Sequence, residues 1–283
     1  MNGCRSPAAG TCFAGRDRLA CSVIMLLFLL AACAPSSSTT GNPPPITDVF
    51  PTPALDGLAG ERREIRFLSD GVELAGELSL PPGTAPAPLV FIIHHSGPVG
   101  RDAYGYLAEL LLPAGYAVFR FDKRGVGASG GSYGCCEAQD ALAAYRVVVV
   151  QPGIDRNMIF IIAQSRGTQH LADHYGAYTA TAPPRAVALL SNLLGPDRIT
   201  IIAAPTLIIV SDSEPDLETI GAAALAAQRQ HQPFDTELFI AAGSEHSLFD
   251  ISDGPIDWSD PQWVQRYHRA AMAHLIRFLD KQR

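Results

Sequence analysis

The stretch that most limits how this chain can fold runs from Met158 to Tyr175. Met158 to Ile162 is an unbroken apolar run rich in β-branched residues, the composition of a buried strand. The chain passes through Ala163 and Gln164 to Ser165 and reaches Gly167. It continues as Gln169-His170-Leu171-Ala172-Asp173-His174-Tyr175, which reads as a helix. A strand that turns sharply into a helix with serine at the apex needs small residues two positions to either side, because strand and helix crowd there. Ala163 and Gly167 fill those positions, the former one methyl larger than the usual glycine. Taken alone, the pattern also describes an ordinary strand-to-helix turn, so its meaning rests on what else reaches the same edge of the sheet.

The pattern elsewhere makes that edge predictable. Glu64 to Phe67 and Val72 to Leu78 alternate apolar and polar residues around Asp70-Gly71, which predicts an antiparallel hairpin with one wet face. Leu89–Ile93, Ala117–Phe121, Met158–Ile162, Ala186–Leu190, Thr206–Val210 and Thr236–Ile240 are continuous apolar runs. A helix-like segment lies at Ala103–Leu112. Continuous apolar strands separated by helices predict a mostly parallel α/β sheet covered on both faces. Sites in such sheets form beyond the carboxyl ends of the strands.

Chemically capable residues cluster at those ends. His94-His95-Ser96-Gly97-Pro98 follows the 89–93 run, and Asp122-Lys123-Arg124-Gly125-Val126-Gly127-Ala128-Ser129 follows 117–121. Ser165 follows 158–162, Asp212, Glu214 and Asp216 follow 206–210, and His246 lies in Gly243-Ser244-Glu245-His246 after 236–240. Serine, acid and histidine therefore come in the chain order Ser, Asp/Glu, His, each just past a strand.

With these motifs in view, the chain from about Glu64 onward resembles the α/β-hydrolase superfamily. Phe121-Asp122-Lys123-Arg124-Gly125-Val126-Gly127-Ala128-Ser129, together with His94-His95-Ser96-Gly97-Pro98, is similar to bacterial serine esterases and acyl hydrolases. The resemblance implies an α/β-hydrolase fold with Ser165 as nucleophile and His246 as its base. The acid that orients the imidazole usually precedes a proline in that group. Aligned on Pro215 it is Glu214, with Asp216 and Asp212 as competitors. The resemblance places the oxyanion donors at the backbone N–H groups of Arg166 and Ser96. The chain departs from the group at Ala163, His95 and Thr168, where glycine is usual. His95 either narrows its loop or turns its ring toward a substrate. The Asp122-Lys123-Arg124 cluster reads as structural, closing a turn with Gly125 and Gly127. His170 and His174 read as helix-surface or packing residues, since no third metal ligand accompanies them. No cofactor or metal is expected.

At the start of the chain, Leu19 to Ala32 forms an apolar segment behind Arg16 and Arg18. It is short for a membrane span and reads as a secretory signal peptide. Leu30-Ala31-Ala32-Cys33 looks like a bacterial lipobox, in which cleavage leaves Cys33 as a lipid-modified first residue; the alternative is a plain signal peptide cut nearby. Acylation there would hold the protein on a membrane of the cell envelope without a transmembrane helix. Residues 1–32 are thus assigned as signal peptide, 33–60 as a Ser/Thr/Pro/Gly-rich disordered tether, and 61–283 as one catalytic domain. Loss of residues 1–32 removes three arginines and one aspartate from 21 basic and 28 acidic residues, leaving a net charge of −9. That balance argues against nucleic acid as a partner. With Cys33 acylated, only Cys135 and Cys136 remain as thiols; they read as free thiols at a helix start rather than a disulfide framework.

Only residues 191–205 separate the 186–190 and 206–210 runs, too few for the helical lid that many members of this fold insert there. An open site suited to small or externally presented esters follows, with Tyr104, Tyr133, Phe249 and Trp258 as candidates for the acyl pocket. Three function classes stand at this stage: a carboxylesterase or thioesterase, a serine peptidase of the same fold, and a lipoprotein that only binds a ligand.

Overall fold

A computed structural model describes residues 60–83 and 86–283. The expected signal peptide, Cys33 and the tether up to residue 59 lie outside the described residues.

The described chain runs β1 (Glu61–Ser69), β2 (Val72–Leu80), β3 (Ala87–Ile93), α1 (Gly105–Leu111), β4 (Ala117–Phe121), α2 (Glu137–Val148), β5 (Ile154–Gln164) and α3 (Arg166–Thr181). It continues with β6 (Ala186–Leu190), α4 (Pro196–Ile199), β7 (Thr206–Ser211), α5 (Ala224–His231), β8 (Thr236–Ala241) and α6 (Arg269–Lys281). The eight strands form one sheet in the order β1-β2-β4-β3-β5-β6-β7-β8. The β1–β2 and β2–β4 pairs are antiparallel and every later pair is parallel. The expected strands are all present, with β5 extended back to Ile154. Helix α1 is shorter than its apolar pattern, its first turn being 3₁₀ over Arg101–Tyr104.

Local chemistry accounts for the hairpin. Asp70 and Gly71 both take positive φ, 47° and 77°, as a two-residue turn matched to strand twist requires. Ile65 and Phe67 of β1 face inward while Glu64 and Arg66 are exposed. Strand β2 sits inside the sheet and is buried over most of its length, so the wet face is largely confined to β1.

Alternate residues of each central strand enter opposite cores. Leu89, Phe91 and Ile93 pack with Ala141, Tyr145, Leu171 and Tyr175 of α2 and α3. Val90 and Ile92 pack with Leu107, Leu111, Met272, Leu275 and Phe278 of α1 and α6. Phe91 anchors the first layer, stacked on Phe119 at 5.9 Å and edge-on to Tyr145 at 5.1 Å. Its truncation to alanine should cost about 3–5 kcal/mol. Between β6 and β7 there is a single four-residue helix, α4, and no lid. Two-sided burial of the parallel strands thus leaves their carboxyl ends as the open edge.

Candidate active site

Ser165 stands between β5 and α3 with φ 52° and ψ −119°, a backbone conformation costing on the order of 1–3 kcal/mol unless its surroundings impose it. They do. The Ser165 N–H donates to the Leu190 carbonyl of β6 at 2.8 Å. Its own carbonyl accepts from the N–H and the hydroxyl of Thr168, at 2.9 and 2.7 Å. The Thr168 hydroxyl also accepts from Leu193 N–H at 3.2 Å, so this departure from glycine ties the turn to the next loop. Gly167 cannot be replaced freely: a Cβ there would sit 2.6 Å from the Ile93 carbonyl oxygen and 2.7 Å from that of His94.

The loop after β8 brings His246 onto this serine. Its Nε2 lies 2.8 Å from Ser165 Oγ and its Nδ1 lies 2.5 Å from Glu214 Oε1. The loop is fixed from below. Ser191 Oγ donates to the His246 carbonyl at 2.5 Å, and Gln164 Nε2 donates to the Ser247 carbonyl at 3.1 Å. The Glu214 side chain is 8% exposed against 41% for His246, so the carboxylate is covered while one side of the imidazole stays open. The other two acids are occupied elsewhere. The Asp212 carboxylate accepts the Gly243 N–H at 3.0 Å, and exposed Asp216 uses its backbone carbonyl to receive the N–H groups of Thr219 and Ile220. Of the three candidate acids, only Glu214 meets the imidazole.

The loop after β3 faces the same serine. Within it, His95 N–H donates to the Tyr104 hydroxyl at 2.8 Å, and Gly97 N–H donates to the Tyr133 hydroxyl at 2.9 Å. Pro98 has none to offer. The Ser96 N–H takes no protein acceptor among the described residues, and the Arg166 N–H belongs to the first turn of α3, where amides have no helical partner. These are the two donors that the resemblance indicated. Lys123 fixes the loop: its ammonium donates to the carbonyls of His95 at 2.5 Å and Gly97 at 3.0 Å, and to Glu137 at 2.9 Å. The Asp122-Lys123-Arg124 cluster therefore does more than close its own turn. Asp122 does that by accepting the Ala128 N–H, and it also holds Arg101; Arg124 forks onto Asp140 and caps the Ser69 carbonyl.

Burial sets the protonation of this layer. Burial and then the Lys123 cation push the His95 imidazole down to about 4, so it is neutral at pH 7. Burial lowers Lys123, opposed by Glu137. Burial raises Glu137, but nearby His170 and Lys123 more than offset it and hold the carboxyl at about 2. His94 is wholly buried, stacked between Tyr104 at 4.7 Å and Phe121 at 4.4 Å.

A cavity of about 380 Å³ opens beside the serine, lined by the 95–99 loop, Gln164, Ser247 and the rings of Tyr106, Phe249, Trp258 and Trp263. Of the four aromatic candidates, Phe249 and Trp258 line it. Tyr104 instead lies buried under His95, and Tyr133 braces Gly97; both serve the loop rather than the cavity wall. Tyr106 and Trp263 were not legible as lining residues, since Tyr106 sits in the short α1 and Trp263 in the irregular stretch before α6.

His170 lies 3.6 Å from Glu137, and His174 sits at a kink in α3. Among the described residues no group of three or more His, Cys, Asp or Glu is placed to hold a metal ion. Cys135 and Cys136 are free thiols immediately before α2.

The chain matches no family model and no curated protein. Solved structures do match. An esterase from Pyrococcus furiosus superposes with a TM-score of 0.62 at 17% identity, covering 85% of this chain and 99% of that one. A lidless serine hydrolase from Xanthomonas campestris gives 0.54 at 17%, covering 78% and 94%. A dienelactone hydrolase from Anabaena variabilis gives 0.54 at 16%, covering 78% and 98%. The fold is that of the α/β-hydrolases.

Proposed function

We propose that this chain of α/β-hydrolase fold is a serine hydrolase that cleaves carboxylic esters or thioesters through an acyl-enzyme on Ser165. The observation that carries the reading is the continuous hydrogen-bonded line from Ser165 Oγ through His246 to Glu214. Such a line activates a hydroxyl that is otherwise a weak nucleophile. His246 Nε2 takes the Ser165 proton as Oγ attacks the carbonyl carbon. Glu214 accepts from Nδ1–H, which fixes the tautomer and stabilises the imidazolium. The Ser96 and Arg166 N–H groups receive the oxyanion, each such donor being worth about 10²–10³ in turnover. His246 then returns the proton to the departing alcohol or thiol. Water enters by the same route, losing a proton to His246 and releasing the acid.

The names carried by the matched structures support the hydrolase reading. Among the described residues no carboxylate lines the cavity to fix a substrate amine, which favours esters over amino-terminal peptides. We also place the enzyme in the cell envelope, held by a lipid on Cys33.

The test is turnover of p-nitrophenyl acetate and butyrate, a butyryl thioester and an aminoacyl anilide, with labelling by a fluorophosphonate probe. Esters should be cleaved, and the label should sit on Ser165 and vanish in Ser165→Ala. Anilide cleavage without ester cleavage would make the protein a peptidase. No turnover and no label would make it a binding protein.

A further inference from the structure

The hydrogen bonds around His95 fix more than the position of its ring. The buried Tyr104 hydroxyl accepts from the His95 backbone N–H at 2.8 Å and lies 2.6 Å from His95 Nδ1. It has one proton to give and no other acceptor in reach, so it donates to Nδ1. Nδ1 is then an acceptor, and Nε2 carries the ring proton. His95 lines the cavity, and among the described residues no protein group takes the Nε2 proton. A neutral N–H donor of fixed direction thus stands directly before Ser96, where relatives of this fold usually carry glycine.

The cavity behind it is built of rings. Phe249 meets Tyr106 at 5.5 Å and 67°, Trp258 at 5.7 Å and 78°, and Trp263 at 5.0 Å and 63°. Walls of mixed faces and edges suit a further ring in offset or edge-on contact. The space, about 380 Å³, compares with roughly 150 Å³ for a cavity that holds one benzene. It has room for one ring with a short linker and, by volume, for a medium acyl chain as well, so a preference for a ring comes from the aromatic walls rather than from size. The leaving group must lie against His246 to receive its proton; neither His246 nor Ser165 lines this cavity, whereas Ser96, the proposed donor to the carbonyl oxygen, does. The carboxylic half of the substrate belongs here.

Building on the ester-hydrolase reading, we infer that this cavity takes an aromatic carboxylic acyl group, and that His95 Nε2–H donates to an oxygen borne on that group next to the ester carbon. His95 is thereby a specificity-determining contact.

The test uses methyl acetate, methyl octanoate, methyl phenylacetate and methyl mandelate, the last differing from phenylacetate by one α-hydroxyl. Released acid is titrated, and each rate is divided by that of the same ester with hydroxide. Phenylacetate should exceed octanoate in kcat/KM by about 10-fold or more, as pocket fit of this size allows. Mandelate should exceed phenylacetate by a further ~3- to 10-fold, the range of one hydrogen bond. His95→Ala should erase the mandelate advantage and leave the phenylacetate-over-octanoate order. Should that variant not fold, His95→Gln, which keeps an N–H donor, should retain part of the advantage. Trp258→Ala should collapse the aromatic preference. Octanoate matching phenylacetate, or a mandelate advantage unchanged without His95, overturns the inference while leaving the hydrolase reading intact. Failure to cleave even methyl acetate overturns the hydrolase reading, and this inference with it.

Discussion

The buried ammonium of Lys123 donates to the carbonyl oxygen of His95 at 2.5 Å, and so grips the peptide unit that carries the Ser96 N–H. This contact links two strand ends that are 28 residues apart in the chain. Lys123→Met should leave two loop carbonyls without their donor, take the ammonium from Glu137 and let that N–H swing. Turnover of p-nitrophenyl butyrate should fall by about 10²-fold with KM little changed, as for loss of one oxyanion donor. Thermal stability should fall too, because Glu137 is left half-buried and without its cation. A kcat within twofold of the parent would show that the Ser96 amide is held without Lys123.

The acid is decided by amide substitutions. Glu214→Gln keeps the shape but supplies the wrong partner to Nδ1, and an equivalent change in the best-studied triad costs about 10⁴ in turnover. Asp212→Asn and Asp216→Asn should stay within roughly tenfold of the parent, since neither side chain reaches the imidazole. A larger loss from either would reassign the acid.

Ser165→Ala, His246→Ala and the double variant should be about equally inactive, because a catalytic unit once broken loses little more. Steady-state rates measured beside circular dichroism spectra check this. A double variant much worse than both single variants would mean that the two residues act independently.

Stability should decline on acidification in two stages. The unfolded chain protonates His95 near its ordinary 6.5, whereas the folded protein resists until about pH 4. The unfolded state binds more protons in that window, so stability drops as pH falls through it, by at most about 3 kcal/mol from this group. Glu137 continues the decline from its ordinary 4.5 toward 2, where its folded carboxylate at last protonates. Melting temperatures between pH 7 and 3 should show the slope, and His95→Asn should make its upper part shallower, the remainder coming from His94, which burial also holds well below its ordinary value. A flat profile between pH 6.5 and 4 would mean that His95 takes up its proton without strain.

If Cys33 is lipidated, the protein made in a bacterium that processes lipoproteins should sediment with membranes. Cys33→Ser should then release it or leave the signal uncleaved. A soluble mature form with a free amine at residue 33 or later would refute the anchor.

The pattern of continuous apolar runs made the sheet readable, because burial on both faces removes polar residues from central strands. Ser165, His246 and the acid cluster were readable for a related reason: each follows a strand directly, so parallel pairing carries all of them to one edge. Pro215 pointed to Glu214 in the sequence, and the reason Asp212 is left out lies in the turn geometry, which hands its carboxylate to the Gly243 amide. The brace from Lys123 and the ring of Tyr104 under His95 were not readable. Both are reaches onto the 95–97 loop by side chains whose local sequence predicts only a turn and a helix. The cavity wall was half readable: Phe249 and Trp258 were candidates, whereas Trp263 lies in the irregular stretch before α6 and Tyr106 in the short α1.

The bare connection between β6 and β7 has a kinetic meaning. Lipases with a hinged cover wait for an oil–water boundary to pull the cover aside, and their rates jump when substrate passes its solubility limit. Here the fifteen residues 191–205 provide nothing to hinge. Velocity should follow a plain hyperbola through the point where an ester such as tributyrin begins to form droplets, with no lag after mixing and no burst of activation at the emulsion surface.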